Sequence, residues 1–418
     1  MNPADAGIPP LDLSRPDLRE NPYPVYHWYR ENCPVYRLQG TTPNSPDRYM
    51  LTRFDDVSRY LKHPALRRGV HHHAPWNRPL DTIPPEQRAF AAAARQWPLF
   101  LDPPDHAKPR LALNRLLSPD FLKAIQPTVI DSIKTFLAQL PDDQPFDAID
   151  TFSRLIPLEV NRRGLRLNDA SIAALRQDGL NITKAIGTHH DPDTMAEAST
   201  SVENMLNLLD QAIDEQRRTP DPEALMLQSI LDSAGPDGPI SNEQIPPLAL
   251  LMFLTALDTT ANLIGNGLLT FLRHPLQLEK FINNVGPEID ARAVSEITRF
   301  EASVQQVTRH AIEPLEIRGV PIPKKAGVSF LLGAANRDPA FTPDPDTFDI
   351  SRQPSPLSSF GHGIHRCPGA DLGQQIATAA WRAFFTRFPH AKLEDQPLNW
   401  FPLVTFRGVS KLQIHGNS

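Results

Sequence analysis

The feature that most constrains the fold is one long apolar stretch, PPLALLMFLTALDTTANLIGNGLLTFLRHP, at residues 246–275. A helix of this length could cross a bilayer. However, Asp258, Asn262 and Asn266 lie in its middle, and a charged side chain at the centre of a membrane is costly and rare. A helix that is apolar on nearly all sides is otherwise found in the core of a large protein. The stretch therefore predicts a buried helix over 248–273.

The overall composition excludes some classes of protein. The chain has 418 residues and a formal net charge of −6, which argues against a nucleic-acid-binding protein with a basic surface. No repeat or linker divides this length. Two cysteines, Cys33 and Cys367, do not make a disulfide framework, which fits a reducing compartment. The first residues contain no basic segment followed by an apolar one, so we expect a cytoplasmic protein without a signal peptide or membrane anchor.

Helical signals dominate the rest of the chain. Helices are expected repeatedly between 105 and 235 and also at 23–32, 55–64, 287–301 and 368–388. Strands are expected at 34–38, 48–53, 315–320, 327–333, 403–408 and 411–416. These patterns predict a mainly α fold with a minor β-sheet portion.

Cys367 lies in an unusual segment, FGHGIHRCPGA, at residues 360–370. Pro368 suits the first position of a helix, so Cys367 is expected at a helix N-terminus, where free N–H groups stabilise a thiolate. The glycines of the segment allow tight turns and the close approach of a flat ligand. A thiolate in this setting is a strong metal ligand, whereas a lone cysteine near a helix cap is more often buried and inert.

This segment resembles the haem-ligand loop of the cytochrome P450 family, whose pattern is Phe-Gly-x-Gly-x-His-x-Cys-x-Gly. The fixed positions of the pattern are filled by Phe360, Gly361, Gly363, His365, Cys367 and Gly369. The resemblance implies haem b with Cys367 as the axial ligand of the iron, held between the long central helix and this loop. It covers about residues 15–415 and is strongest with the soluble bacterial branch of the family. We therefore expect one domain over 1–418, with residues 1–14 as an N-terminal extension.

A second match is formed by Glu296 and Arg299, which are three residues apart and share a helix face. They resemble the family's Glu-x-x-Arg motif. This resemblance implies a structural role in which the pair holds the irregular segment before the cysteine loop, with a third partner at 348–352. Taken alone, such a pair is usually a solvated helix pair.

A third match lies within the long helix, where Thr255-Ala256-Leu257-Asp258-Thr259 resembles the family pattern Ala/Gly-Gly-x-Asp/Glu-Thr. The resemblance implies that Asp258 and Thr259 deliver protons during oxygen activation, and a carboxyl group beside a hydroxyl suits that chemistry. Ala256 would border the cofactor. Because Thr255 and Ala256 replace the usual small pair, the groove for oxygen would be slightly narrower. The alternative is a threonine bonded to its own helix carbonyl beside a structural aspartate.

A fourth match is the segment from Asp102 to Arg110, which resembles the family's Asp-Pro-Pro-x-His-x-x-x-Arg pattern. The resemblance implies that the haem propionates are bound by four residues, namely His106, Arg110, Arg309 and His365. Arginine suits this role through charge-assisted hydrogen bonds. Phe360, Gly361 and Gly369 would border the haem. Taken singly, each charged residue would be an ordinary surface group.

The implied function is a haem-thiolate monooxygenase that inserts one oxygen atom of O2 into a C–H bond of a hydrophobic or amphipathic small molecule. Electrons would come from a separate ferredoxin and ferredoxin reductase, with NAD(P)H used only indirectly. Lys108, Arg110 and Arg366 would attract such an acidic partner. Three alternatives stay open: oxidative coupling, desaturation or peroxide-driven oxidation on the same scaffold, a non-catalytic haem sensor or carrier, and a structural protein without haem.

The substrate pocket is expected to combine the loop-rich segment 70–98, the region 180–200, the long helix and the segment 302–305, with residues 403–405 as a further wall. The residues expected to line it are Met252, Thr255, Ser303, Val304 and Val404. The run His71-His72-His73 could bind a metal ion, but consecutive side chains rarely converge on one ion, so a loop in contact with substrate or solvent is the better interpretation. Cys33 is interpreted as a small packed residue.

Overall fold

The chain is built mainly from α-helices, with a smaller β portion. The computed structural model describes residues 3–40, 47–69, 74–167, 171–188 and 191–416. The α-helices of this part are α1 (Pro16–Glu20), α2 (Tyr23–Asn32), α3 (Phe54–Tyr60), α4 (Arg88–Ala94), α5 (Ala107–Leu116), α6 (Pro119–Ala138), α7 (Leu155–Gly164), α8 (Ile172–Thr188), α9 (Pro192–Arg218), α10 (Leu225–Leu231), α11 (Ile245–Arg273), α12 (Pro275–Asn283), α13 (Pro287–Phe300), α14 (Leu332–Ala335) and α15 (Ala370–Arg387). The predicted fold class is confirmed.

The strands form three small sheets. They are β1 (Val35–Leu38), β2 (Arg48–Leu51), β3 (Leu66–Arg67), β4 (Phe146–Asp147), β5 (Gln306–Ala311), β6 (Leu315–Ile317), β7 (Val320–Ile322), β8 (Gly327–Leu331), β9 (Lys392–Leu393) and β10 (Gln413–His415). The largest sheet has the order β1-β2-β8-β5-β3, in which β2 and β8 run parallel and the other neighbours antiparallel. A three-stranded sheet, β4-β10-β9, and the hairpin β6-β7 complete the β portion.

The long apolar stretch forms α11, the core helix of the protein. In the described ranges, the segment Asn242–Arg273 is the one helical stretch long and apolar enough to cross a membrane, and 72% of its most apolar window is buried inside the protein. Before it, Ser241 and Gln244 form a reciprocal capping box. After it, Pro275 starts α12, because proline cannot continue the preceding helix. The sequence prediction of a buried core helix is therefore confirmed.

The crossing of α11 and α15 fixes the position of the cysteine loop. Trp381 of α15 is fully buried, and its indole Nε1–H donates to the carbonyl oxygen of Ile264 on α11 at 2.9 Å. A Cβ atom at Gly267 would lie 2.2 Å from the Trp381 ring, so only glycine permits this approach. Together with the approach of Gly373, in the first turn of α15, to Thr260 of α11, this contact holds α15 and the loop that precedes it against α11.

Three sequence predictions differ from the structure. The single strand expected at 315–320 is a hairpin, because Arg318 and Gly319, both with positive φ, turn the chain between β6 and β7. Residues 403–408 were expected to form a strand, but the structure has only isolated bridges there, Val304 with Phe406 and Trp400 with Val409. In addition, α15 begins at Ala370 and not at Pro368.

Candidate active site

The loop before α15 turns sharply around Cys367. The backbone N–H of Cys367 donates to the carbonyl oxygen of Phe360 at 2.8 Å. Gly361 and Gly363 have φ angles of +69° and +75°, a region that side chains strain to adopt. The expected helix start at Pro368 is wrong, because Pro368 and Gly369 form a turn that precedes the helix. This turn directs the Gly369 N–H toward the sulfur.

Burial and local charges have opposite effects on the pKa of Cys367. Burial raises the pKa of the Cys367 thiol, whereas the backbone N–H of Gly369 and the guanidinium groups of Arg110 and Arg366 lower it. Arg110 also donates to the carbonyl oxygen of Arg366 at 2.6 Å, which ties α5 to the loop. A metal ion bound to this sulfur would displace the proton, and the N–H group and arginines would help to hold the resulting thiolate.

On α11, one short band of residues is accessible while the turns on both sides are buried. Residues 255–259 are exposed or half-buried, whereas Met252 and Thr260 are each only 6% exposed. A Cβ atom at Gly373, in the first turn of α15, would lie 3.6 Å from the Thr260 hydroxyl oxygen. Thr260, the residue directly after the accessible band, therefore faces the first turn of the helix that follows Cys367.

The polar groups of this band are bonded within their own helix. The Thr259 hydroxyl donates to the carbonyl oxygen of Thr255 at 2.7 Å, and the Thr255 hydroxyl donates to that of Leu251 at 2.8 Å. This geometry matches the alternative interpretation of a back-bonded threonine, but it leaves the Thr259 oxygen free to accept a hydrogen bond. Burial raises the pKa of Asp258, and the charges of Arg154 and Arg176 oppose this rise.

A group of guanidinium and imidazole side chains lies beside the cysteine loop. We call it the cationic cluster, and its members are Arg68, His106, Arg110, Arg309 and His365. Arg309 is 6% exposed, and its guanidinium donates to the carbonyl oxygen of Thr308 at 3.0 Å. Burial lowers the pKa of Arg309 to about 9 and that of Arg68 to about 10. Among the described residues, neither guanidinium forms a salt bridge with a carboxylate.

Asp102 is the acidic residue that contacts this cluster. Its carboxylate accepts the backbone N–H groups of Arg68 and Gly69 at 3.1 and 2.7 Å, and it lies 3.9 Å from His365 Nε2. The His106 and His365 rings are 4.7 Å apart. Within the described part of the chain, the Nε2 atoms of both are buried and have no hydrogen-bond partner. Burial, together with the charges of its neighbours, lowers the pKa of His106 to about 4. One carboxylate thus faces an excess of positive charge and unused donors.

The Glu296–Arg299 pair is buried at the end of α13. Arg299 donates to both carboxylate oxygens of Glu296 at 2.7 and 2.8 Å, and the two side chains are 3% and 2% exposed. Arg352 lies 3.3 Å from the same carboxylate. It falls within residues 348–352, where the third partner was expected. Arg299 also donates to the carbonyl oxygen of Pro345 at 2.6 Å. The pair therefore holds the segment that leads to the cysteine loop.

The predicted pocket residues have different surroundings. Thr255 is exposed on the accessible band of α11, whereas Met252 packs in the main core. Ser303 is 9% exposed, Val304 is half-buried and bridges to Phe406, and Val404 packs against a cluster around α2. Residues 71–73, the histidine run, lie outside the described residues. Cys33 is half-buried and packs against the same cluster as Val404.

Comparison with known proteins decides the family. The family model described as cytochrome P450 matches residues 180–406, which is more than half of the chain. The chain belongs to the cytochrome P450 family. A vitamin D(3) 25-hydroxylase of Pseudonocardia autotrophica is 31% identical over 96% of each chain. This P450 is therefore an oxidoreductase of the monooxygenase class, as its sequence predicts.

Two solved P450 structures share the fold at closely similar length. One is P450BioI in complex with an acyl carrier protein ligated to hexadec-9Z-enoic acid, with a TM-score of 0.83, 27% identity and coverage of 95% of this chain and 98% of that one. The other is a myxobacterial P450 in complex with myristic acid, with a TM-score of 0.81, 26% identity and coverage of 96% and 98%. The P450 fold is thus confirmed.

The residues of the site fit haem, the prosthetic group of this family. Two propionates would supply the negative charge that the cationic cluster lacks, and they would accept from the unpartnered imidazole nitrogens of His106 and His365. The space beside the Cα atom of Gly369 is open, since a Cβ atom placed there would have no neighbouring atom within 4 Å. Sequence reasoning missed Arg68. No local pattern marks this arginine, because its burial arises from the pairing of β3 with β5.

Proposed function

We propose that this P450 is a haem-thiolate monooxygenase that inserts one oxygen atom of O2 into a C–H bond of a hydrophobic or amphipathic small molecule. It works in the cytoplasm as a single domain and receives electrons from a ferredoxin and its reductase, so that NAD(P)H is used only indirectly. The proposal depends chiefly on one observation: Cys367 lies beside an N–H donor and two arginines, and the helix that follows it approaches α11 at Thr260, directly after the accessible band.

Cys367 is the axial ligand in this proposal. When bound, thiolate-ligated haem supplies the oxidising chemistry, because the thiolate donates electron density that favours O–O cleavage. The chain's own contribution is to hold and orient the cofactor. The cationic cluster binds the propionates, and Phe360, Gly361, Ala256 and Gly369 border the porphyrin. Glu296 and Arg299 keep the cysteine loop in place through the segment before it.

Asp258 and Thr259 are the residues proposed to deliver protons during oxygen activation. Because burial raises its pKa, the Asp258 carboxyl holds a proton more readily than an exposed aspartate does. The Thr259 hydroxyl donates its hydrogen to the carbonyl oxygen of Thr255, so the lone pairs of the hydroxyl oxygen remain available to accept a hydrogen bond from a proton donor. Arg176, whose charge lowers the pKa of Asp258, lies 2.9 Å from the half-exposed Asp150. Asp258 is therefore within electrostatic range of an ion pair that reaches the surface.

The substrate class follows from the walls of the space and from the relatives. The expected walls are apolar with a few hydroxyls, which suits an apolar molecule with one polar end. The polar groups are those of Thr255 and Ser303, beside Met252, Val304 and Val404. Both solved relatives are complexes with a fatty-acyl ligand, and the curated relative is a vitamin D(3) hydroxylase. Long-chain and polycyclic lipids are therefore the first substrates to test.

The electron donor is proposed to dock on the surface outside Cys367. Arg110 ties α5 to the cysteine loop, so the exposed Lys108 and Arg366 belong to one surface. This surface also contains Leu111 and Ile364, which are 45% and 50% exposed. A basic patch with apolar side chains suits an acidic ferredoxin. The rate of electron transfer should fall as the ionic strength rises, because salt screens the attraction.

Isotope incorporation tests the reaction directly. The protein is supplied with a surrogate ferredoxin, its reductase, NADPH and 18O2, and is offered myristic acid and vitamin D3 among other lipids. The proposal predicts a product that carries one 18O atom and NADPH consumption that depends on the substrate. Products that form only with peroxide, or that contain no oxygen from 18O2, would contradict it.

A further inference from the structure

Two segments that are distant in sequence are joined through their backbones. They are residues 302–305 and 403–406, which we call the chamber segments. The backbone N–H of Arg407 donates to the carbonyl oxygen of Ser303, and that of Gln305 donates to the carbonyl oxygen of Thr405, both at 2.8 Å. Val304 and Phe406 form an antiparallel bridge between these bonds. Movement of one chamber segment therefore moves the other.

The joined segments are anchored on their outer side by the side chain of Arg407, which is only 6% exposed. Its Nε donates to a carboxylate oxygen of Glu301 at 2.7 Å, and the Tyr23 hydroxyl donates to the same oxygen at 3.0 Å. The rest of the guanidinium donates to the carbonyl oxygens of Arg19 and Glu20 at 2.5 and 3.2 Å. It also stacks on Trp400, 3.7 Å from the ring centroid. One side chain thus connects the N-terminal segment, the end of α13 and the second chamber segment.

On their inner side the segments are anchored to α11. The side-chain amide of Asn266, 1% exposed, donates to the carbonyl oxygens of both Glu301 and Arg407, at 3.1 and 3.0 Å. A Cβ atom at Gly408 would lie 2.2 Å from the Asn262 side-chain oxygen, so the chain passes α11 at the closest approach that glycine allows. The Arg407 residue is therefore held from outside by its side chain and from inside by its carbonyl group.

We propose that Arg407 is a positioning residue for substrate selection: it fixes both chamber segments against α11 and so sets the size and shape of the molecule that fits. This inference rests on the proposed function, which assigns these segments to the substrate pocket. Arg407 does not itself touch the substrate. Its planar guanidinium reaches a carboxylate and two carbonyl groups at once, which the single ammonium group of lysine cannot do.

Loss of the Arg407 side chain should displace the segments without unfolding the protein. Glu301 would keep the hydroxyl of Tyr23 as a donor, and Arg337 lies 3.7 Å from its other carboxylate oxygen. The buried carboxylate is therefore not left without a partner, which is the usual cause of severe destabilisation. What is lost is the link between Glu301 and the segment at 400–408.

The test compares small and large ligands of haem iron. Dissociation constants are measured by spectral titration with imidazole and with 4-phenylimidazole, and the spin-state change with myristic acid is measured as well. In Arg407→Gln, the affinity for imidazole should stay within about two-fold, while the affinity for 4-phenylimidazole and myristic acid should fall about ten-fold or more. Arg407→Lys should show the same change, since lysine keeps the positive charge but lacks the planar guanidinium that donates to several groups at once.

A matched control is Arg387→Gln. Arg387 also donates to a carbonyl group, that of Leu140 at 2.8 Å, and pairs with Asp142 at 3.0 Å, but it lies at the end of α15 away from the chamber segments. It should lower the melting temperature and leave the ratio of the two azole affinities unchanged. Tyr23→Phe, which removes one bond to Glu301 without changing charge, should move the ratio in the same direction as Arg407→Gln but less.

Each outcome decides the inference. An unchanged ratio of azole affinities in Arg407→Gln would overturn it, and so would a parallel loss of both affinities, because that result indicates general loosening. If Arg407→Gln does not bind haem, an unchanged ratio in Tyr23→Phe would overturn it instead. A wild-type protein with no thiolate-type band with carbon monoxide would refute the proposed function first, and this inference with it.

Discussion

The cofactor region and the substrate region of this P450 are built in different ways. The proposed cofactor region consists of the cysteine loop and the cationic cluster, where, among the described residues, guanidinium and imidazole groups face one carboxylate, Asp102. The proposed substrate region consists of residues 255–259 and the chamber segments, where backbone bonds join residues about one hundred positions apart. One region is defined by side-chain charge and the other by how backbone segments are held.

This difference suggests which changes should affect which property. A substitution in the cofactor region should alter haem binding or folding for every substrate alike, since charge acts on the cofactor itself. A substitution in the substrate region should alter which molecules bind, and leave the iron and its ligand as they are. The following predictions test that separation.

The largest effect is expected from Glu296→Gln, which leaves Arg299 as a buried charge without its carboxylate. Breaking a buried ion pair in this way costs about 3–5 kcal/mol in the free energy of unfolding. Glu288→Gln is the matched control, because Glu288 also pairs with an arginine of α13, Arg292, but its side chain is 80% exposed. Its cost should be about 0.5 kcal/mol or less. Equal costs in denaturant titrations would contradict the assigned role of Glu296.

The next effect is expected from Asp258→Asn, which should reduce substrate-coupled turnover about 100-fold or more if the carboxyl group transfers protons. Burial raises the pKa of Asp258 in the folded state, so the charged form weakens folding at pH 7. The variant should therefore melt at a higher temperature than the wild type at pH 7. This gain should shrink as the pH falls and disappear well below 3.8, the pKa of an unperturbed aspartate, because the wild-type carboxyl is then protonated whether the chain is folded or not.

Asp210→Asn is a suitable comparison for Asp258→Asn. Partial desolvation and the charge of Asp214 also raise the pKa of Asp210, which lies on the surface of α9. The Asp210→Asn variant should keep the substrate-coupled turnover of the wild type. If Asp258→Asn kept full coupled turnover, the proton-transfer role of Asp258 would be refuted.

An effect of intermediate size is expected from Arg309→Met, with opposite signs in the two forms of the protein. Burial lowers the pKa of Arg309 to about 9, so its charge weakens the apo-protein at pH 7, and the variant apo-protein should be at least as stable as the wild type. The holo-protein should lose haem about ten- to a hundred-fold faster, as expected for one charge-assisted contact. Transfer of haem to apomyoglobin measures this rate.

The control for Arg309→Met is Arg318→Met, because Arg318 is 40% exposed and has its own partner, Asp56, at 2.6 Å. Its rate of haem loss should not change. A lower stability of the Arg309→Met apo-protein, together with an unchanged rate of haem loss, would show that Arg309 has a structural role and does not bind propionate.

The smallest effect is expected from Thr255→Val, which keeps the shape of an exposed side chain on α11 and removes a hydroxyl that donates to Leu251 O. Ligand affinities measured by spin-state titration should change by less than about ten-fold and differ between ligands. The spectrum with carbon monoxide should be that of the wild type. A loss of haem in this variant would contradict the separation of the two regions.

The sequence predicted the cofactor region better than the substrate region, for physical reasons. The bounds of α2 and nearly those of α11 follow from local periodicity and from proline and capping signals. The cysteine loop follows from residue types at fixed spacing. Arg68 could not be found in this way, because β3 and β5 bury it by pairing residues more than two hundred positions apart.

The chamber segments were located only in part. Residues 403–408 alternate as a strand would, but only single bridges form, because Asn266 and Arg407 hold the chain close to α11. The start of α15 was placed two residues too early, because a proline at the first helical position and a proline in a preceding turn look alike in sequence. Contacts between distant segments decide both cases.

The most direct test of the account is the absorption spectrum of the freshly prepared ferrous protein with and without carbon monoxide. A strongly red-shifted Soret band is predicted for the wild-type protein, and its loss is predicted in Cys367→Ala, since Cys367 is the proposed thiolate ligand. A band at the position typical of histidine-ligated haem would contradict the assignment of Cys367. The absence of any haem band would contradict the proposed function as a whole.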